Sequence, residues 1–141
     1  MNIIIILRAL VVVAIISSTN AMTYNIDELK EADKIAGSLH SWKELYSAYL
    51  KYHNYDDGGI AEGFSESTSL LLANKWMNIN QLIELSKSDP SFQAFVIRHI
   101  DETVPVKRLQ KIKKYAMSNQ DPKAKSLCLM ILKSLKYLDI N

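Results

Sequence analysis

The chain has 141 residues, of which 48% are hydrophobic and 23% are charged, values that are ordinary for a globular protein. A chain of this length forms one domain with one core, and its four glycines and three prolines disfavour a loop-rich or β-rich fold. The single cysteine, Cys128, excludes an internal disulfide. Because Cys128 lies in an apolar helical stretch, we expect a buried thiol, with an intermolecular disulfide as the alternative.

The amino-terminal segment, residues 1–21, has the pattern of a secretory signal peptide. An apolar run from Ile3 to Ile16 contains one charge, Arg8, and is followed by Ser-Ser-Thr-Asn-Ala. Signal peptidase recognises a short apolar core followed by small polar residues, so we predict cleavage after Ala21. Removing these 21 of 141 residues leaves a mature chain of 120. The run is shorter than the roughly 20 apolar residues of a membrane span, although the late position of Arg8 leaves an uncleaved anchor as the alternative.

Residues 22–141 are predicted to form a single all-α domain, a compact bundle of six to seven short helices. Hydrophobic residues recur at the three- and four-residue spacing of helix faces. Ser41, followed by Glu44, fits a capping box. The expected helices cover about 26–36, 42–53 and 60–75, a short stretch capped by Asn78, and three stretches that open at Asp89-Pro90, Thr103-Val104-Pro105 and Asp121-Pro122. The two Asp-Pro sites, at 89 and 121, admit a helical repeat, but their segments share no further similarity and favour a bundle.

Charge is divided unevenly along the mature chain. Residues 22–104 contain 7 Lys or Arg and 13 Asp or Glu, a net charge of −6, whereas residues 105–141 contain 9 and 2, a net charge of +7. Such an asymmetry can steer encounters with charged partners. The basic positions Lys107, Arg108, Lys111 and Lys114 could contact an anionic surface or simply form a solvated helix face.

The most distinctive stretch is an acidic, glycine-rich turn containing Tyr55, Asp56, Asp57 and Glu62. One interpretation is structural, with Asp57 capping the next helix. A second is a surface that contacts a partner protein. A third is acid–base catalysis, which paired carboxylates can perform. The spacing of the carboxylates is not that of a calcium-binding loop. We therefore predict no metal site here.

A second stretch, residues 98–103, places Arg98, a histidine and two acids at a helix end. An inward-pointing Arg98 needs a carboxylate partner, because an unpaired buried charge is costly. We expect a structural ion network that includes Arg98 and Asp101, with Asp57 and Glu62 as candidate partners. The three histidines are far apart in sequence and offer no zinc ligand pair. No cofactor and no catalytic site is predicted.

The signal, the small helical body and the separated charges resemble small exported bacterial immunity proteins, including the type that guards against pesticin-like, murein-degrading bacteriocins. The resemblance covers the whole chain and carries no diagnostic motif. It implies a periplasmic protein, not an enzyme, that binds and neutralises a cognate protein toxin. Asp56, Asp57 and Glu62 would steer onto a basic toxin cleft. Neither nucleic acid nor stable membrane insertion after cleavage is expected.

Two other classes of function remain open. The first is a periplasmic structural or envelope-stress protein that contacts murein or the membrane through its basic carboxy-terminal helices. The second is a small hydrolase that uses the acidic turn. Recovery of a toxin partner would favour an immunity protein. Salt-sensitive binding to murein or liposomes would favour the envelope protein, and loss of activity in Asp56→Ala would favour the hydrolase.

Overall fold

The computed structural model describes residues 25–140, so the predicted signal peptide and its cleavage site lie outside the described residues. Within that range the chain is all-α, as predicted, and forms a bundle of seven helices with no strand. The helices are α1 (Ile26–Ile35), α2 (Trp42–Tyr52), α3 (Gly58–Asn74), α4 (Ile79–Ser88), α5 (Pro90–Arg98), α6 (Val106–Ser118) and α7 (Lys125–Tyr137). Single 3-10 turns over Ala36–Ser38, His53–Tyr55 and Trp76–Asn78 follow α1, α2 and α3.

Two of the predicted helix starts are confirmed by their caps. Ser41 Oγ accepts a hydrogen bond from Glu44 N at 3.2 Å, while the Glu44 carboxylate accepts from His40 N at 2.7 Å, one residue before the position that a standard capping box uses. Asp89 Oδ1 accepts from the backbone N–H groups of Ser91 and Phe92 at 3.0 and 3.1 Å. The first residue of α5 is a proline, which has no N–H to satisfy.

One other start prediction is wrong. Asp121 does not open a helix: its Oδ1 accepts from Lys123 N at 2.9 Å and its carbonyl accepts from Ala124 N at 3.0 Å. These bonds close a turn, so α7 begins at Lys125 instead of at the proline. Asn78 is in the N-cap position of α4, which begins at Ile79 as predicted, although its side chain makes no cap bond within residues 25–140.

Helix α3 is the centre of the bundle and is buried on several sides. Phe64 and Leu72 are fully buried, and so is the polar Ser67. Ser67 Oγ lies 2.5 Å from the carbonyl oxygen of Ala36, to which it donates, and accepts from Leu39 N at 3.1 Å. The small side chains of α3 therefore allow the chain after α1 to cross α3 at close range.

A row of aromatic rings joins α2, α3 and α5. The Tyr49 ring centroid lies 5.3 Å from that of Phe92 and 5.0 Å from that of Phe95. Phe95 in turn meets Phe64 edge to face at 5.1 Å and His99 at 4.2 Å. Rings in such contacts contribute about 1 kcal/mol per pair beyond their buried area. The row leads directly to the acidic turn described below.

Helices α6 and α7 are fastened to the rest of the bundle by polar contacts. Arg108 makes a two-pronged ion pair with Glu66 of α3, at 2.5 and 3.1 Å, and also donates to Ser69 Oγ at 2.9 Å. Ser134 Oγ of α7 donates to the carbonyl of Ile100 at 3.2 Å. Cys128 is buried, which confirms the expected core thiol, and burial raises its pKa above the ordinary value.

We predict that Gly63→Ala destabilises the fold. A Cβ at this position would lie 2.8 Å from the Ala36 Cβ and 3.0 Å from the Gly37 backbone nitrogen, so the crossing after α1 would have to open. Overpacking of this kind costs about 1–3 kcal/mol. Thermal unfolding followed by circular dichroism measures the loss.

Gly59→Ala is the matched control in the same helix. Its Cβ would meet Asp33 Oδ1 at 3.7 Å, an ordinary contact, and alanine in place of helical glycine stabilises by roughly 0.5–1 kcal/mol. The two variants should therefore shift the melting temperature in opposite directions. Equal melting temperatures for both would contradict the close crossing.

Candidate partner-binding surface

The acidic turn between α2 and α3 is held by bonds to α1 and to the start of α3. The Tyr55 hydroxyl donates to Glu28 Oε2 of α1 at 2.7 Å and accepts from Asn25 N at 3.2 Å. Asp57 is the N-cap of α3 and accepts from Gly58 N at 2.8 Å, which confirms the structural interpretation of this residue. Gly58 has a positive φ of 50°, a conformation that favours glycine. These hydrogen bonds therefore fix the conformation of the turn.

Asp56 points into the protein, where two cations meet its carboxylate. Its side chain is only 5% exposed. Oδ1 accepts from His99 Nε2 at 3.0 Å, and Oδ2 is paired with the Arg98 guanidinium. The two partners follow one another at the end of α5, which brings that helix end onto the turn. Asp56 thus contacts two residues that lie 42 and 43 positions later in the sequence.

Both ring nitrogens of His99 lie against hydrogen-bond acceptors. Its Nδ1 lies 2.8 Å from the carbonyl oxygen of Phe95, while its Nε2 faces the Asp56 carboxylate. Both partners are acceptors, and only an imidazolium ring can donate from both nitrogens. Burial by itself raises the pKa of Asp56, but the hydrogen bond and charge of His99, together with Arg98, bring that pKa below its ordinary value.

The structure corrects the expected pairing in the ion network. Arg98 pairs with Asp56, and not with the candidate partners Asp57 and Glu62. Asp101 has a separate role at the start of the loop before α6. Its Oδ2 lies 2.5 Å from the buried Ser65 hydroxyl, and its Oδ1 accepts from Thr103 N at 2.9 Å. The sequence placed these charges near one another but could not assign partners across more than 30 residues.

The remaining predicted contact residues are at the surface. Asp57 and Glu62 are exposed, the second about one helical turn along α3 from the cap, whereas Tyr55 is buried behind them. Asp33 of α1 adds a further exposed carboxylate beside Gly59. Acidic residues of α1 and α3 therefore share this end of the molecule. Sequence reasoning did not identify Asp33, because its proximity depends on the packing of α1 against α3.

A shallow groove of about 320 Å³ lies between α1 and the start of α3. We call it the acidic groove, and its lining is Leu29, Tyr55, Asp57, Gly58 and Ile60. Leu29 is 38% exposed, and Ile26, three residues earlier on α1, is 65% exposed. An apolar floor beside the Asp57 carboxylate suits the aliphatic stem and charged head of a lysine or arginine.

We predict that Asp56→Asn destabilises the fold far more than Arg98→Ala. The first change leaves the buried His99 without its counter-charge, and breaking a buried pair costs about 3–5 kcal/mol. The Arg98 side chain is 64% exposed, so its removal costs about 1 kcal/mol or less. Urea unfolding of the two variants measures the difference, and equal losses would contradict the central position of His99.

The lowered pKa of Asp56 predicts a specific loss of stability in acid. A group whose pKa is lower when folded stabilises the fold above its unfolded pKa, and that contribution is lost as the pH falls through the folded value. For Asp56 the loss therefore begins near the ordinary value of 3.8 and continues below it. Free energies of unfolding from about pH 4 to about pH 2 should fall more steeply in the natural protein than in Asp56→Asn. Parallel curves would show that Asp56 does not contribute.

Comparisons of this chain with protein-family models, with curated proteins and with solved structures found no match. Among residues 25–140, no group of three or more His, Cys, Asp or Glu side chains is arranged to hold a metal ion. No helix in the same range is long and apolar enough to cross a membrane.

Proposed function

We propose that this chain is an exported immunity protein that binds and neutralises a cognate protein toxin in the periplasm. Bacteriocins are the proposed toxin class, and murein-degrading ones act in the compartment to which the predicted signal peptide directs the chain. The observation that carries the proposal is the acidic groove, which places the partly exposed Leu29 beside the Asp57 carboxylate, on a turn that the Asp56 network holds. Protein interfaces combine an apolar centre with a polar rim in the same way.

The groove would neutralise a toxin by occupying a basic part of its surface. Residues 22–104 carry a net charge of −6, and complementary charge accelerates the encounter of two proteins. On contact, a lysine or arginine of the toxin would lay its stem over Leu29 and its charged end against Asp57. Asp33 and Glu62 would then surround the same basic patch.

The support beneath the groove favours binding by a preformed surface. The Asp56 network fixes the turn from below, and Tyr55 fixes it to α1 through Glu28. A surface that is already ordered loses less entropy when it binds. Asp56 thus has a positioning role in this proposal, while Asp57 and Glu62 make the contact.

A second candidate function is attachment to an anionic envelope surface through α6 and α7. Met117 and Leu129 are 67% and 59% exposed, and lysines 113, 114 and 125 lie in the lining of the grooves beside them. Exposed apolar and basic side chains together are typical of proteins that bind at a membrane surface. Salt-sensitive sedimentation with anionic liposomes, lost in Met117→Ser, would favour this function over toxin binding.

We predict that the triple variant Asp33→Asn, Asp57→Asn and Glu62→Gln binds the toxin more weakly and protects cells less. Asparagine at position 57 keeps the cap of α3, so the variant removes charge while preserving the fold. The natural protein, used as bait in the strain that carries its gene, should recover a protein that kills cells lacking the chain. Association of that toxin should slow by about tenfold or more at low salt in the triple variant.

Glu84→Gln is the matched control, because it removes one carboxylate from α4, outside the acidic groove. It should leave toxin association and cell protection unchanged. The proposal fails if the natural protein recovers no toxic protein, or if the triple variant protects as well as the natural chain. Circular dichroism of each variant separates loss of binding from loss of fold.

A further inference from the structure

A second, separate cleft lies where α4, α5 and the start of α7 meet. Its volume is about 310 Å³, and its lining is Ile83, Ser86, Lys87, Pro90, Gln93, Lys123, Ser126 and Leu127. None of these residues belongs to the acidic groove. In contrast to that groove, the ionisable side chains in this lining are both lysines. We call it the lysine cleft.

Ser86 gives the lysine cleft a buried donor with no partner inside the protein. The residue is 6% exposed, and its hydroxyl is one of three buried side-chain polar atoms in the described chain that make no hydrogen bond. The other two, on Trp42 and Thr68, are not part of this lining. A buried hydroxyl without a partner costs about 1–3 kcal/mol. A ligand that accepts its hydrogen bond would remove that cost.

Two lysines line the same cleft, and one of them is paired with an exposed carboxylate. Lys87 Nζ lies 2.7 Å from Glu84 Oε1. Lys87 and, to a smaller extent, Lys123 lower the pKa of Glu84. Glu84 itself is outside the lining, and the pair is more than half exposed on both sides. An entering anion could therefore replace Glu84 as the partner of Lys87.

The amino-terminal turn of α7 forms another side of the cleft. Ser126 and Leu127 are among the first residues of this 13-residue helix, and no side chain of the described chain caps its start. The first backbone N–H groups of a helix lack partners within the helix, and together with the helix dipole they attract anions. The helix start, the lysines and the Ser86 hydroxyl thus offer donors and positive charge from three elements.

We propose that the lysine cleft binds the phosphate group of a small phosphorylated molecule, or free phosphate. Phosphate oxygens accept hydrogen bonds and carry the negative charge that the two lysines complement. The cleft is large enough for a phosphate group and a small organic part attached to it, since ligand pockets begin at about 300 Å³. The site uses residues that the proposed toxin contact does not use, so each proposal can fail without the other.

The test titrates the purified protein with inorganic phosphate and with glycerol phosphate, at constant ionic strength held by chloride, and follows backbone amide signals by NMR. Saturable shifts should appear at Ser86 and Ser126. Ser86→Ala should weaken phosphate binding by about tenfold, while the melting temperature without phosphate stays the same or rises. A merely structural serine would instead lower the melting temperature and leave the affinity unchanged.

Two charge variants and one control complete the experiment. Lys123→Gln should weaken phosphate binding, whereas Glu84→Gln should strengthen it, because the competing carboxylate is removed. Lys107→Gln removes the same charge from α6, outside the cleft, and should have no effect. Tighter binding of glycerol phosphate than of phosphate would identify a phosphorylated organic ligand, and equal binding would identify free phosphate. Shifts that do not saturate, or an equal loss in Lys107→Gln and Lys123→Gln, would overturn the proposal.

Discussion

The buried ion pair between Asp56 and His99 is the interaction on which the geometry of the acidic end depends. His99 is held at both ring nitrogens, by the Phe95 carbonyl within α5 and by Asp56 outside it. Two opposite charges that are removed from water must remain matched, because a lone one is strongly unfavourable. The turn can therefore not leave the end of α5 without exposing both groups. Asp57, the next residue, starts α3 from this fixed point.

The same pair explains why a surface made largely of short side chains and glycines holds one shape. Glycine at position 58 relieves strain at a positive φ but adds conformational freedom to the unfolded chain. The anchoring comes from below, through Asp56, and from the side, through the Tyr55 bond to Glu28. Ile60 and Phe64 then bury the first turns of α3 in the core. Backbone freedom in the turn is thus limited by contacts with three separate helices.

Local sequence signals predicted the fold well and the site only partly. Spacing of apolar residues and the caps at Ser41 and Asp89 depend on neighbours within four residues, so they could be recognised directly. Asp121 shows the limit of this reasoning, because the same Asp-Pro pair that opens α5 closes a turn before α7. The partner of Arg98 could not be predicted, since the sequence indicates that Asp57 caps α3 but does not show that its neighbour Asp56 points inward. Ser86 gave no sequence signal, because its importance lies in the absence of a partner within the described residues.

In the folded structure, the unequally distributed charges of the sequence form ion pairs and two surface sites of opposite charge. Some of these charges pair with one another. Arg108, from the net-positive segment 105–141, is paired with Glu66, from the net-negative segment 22–104, and this pair joins α6 to α3. The charges that remain at the surface separate into sites of opposite sign, the acidic groove on α1 and α3 and the lysine cleft at α4, α5 and α7. The charge of a site depends on the fold more than on the sequence, because Lys87 lines the lysine cleft although it belongs to the net-negative segment 22–104. Its ion-pair partner Glu84, from the same segment, is outside the lining. The two proposed ligands, a basic protein and an anionic molecule, would therefore occupy separate surfaces and would not compete.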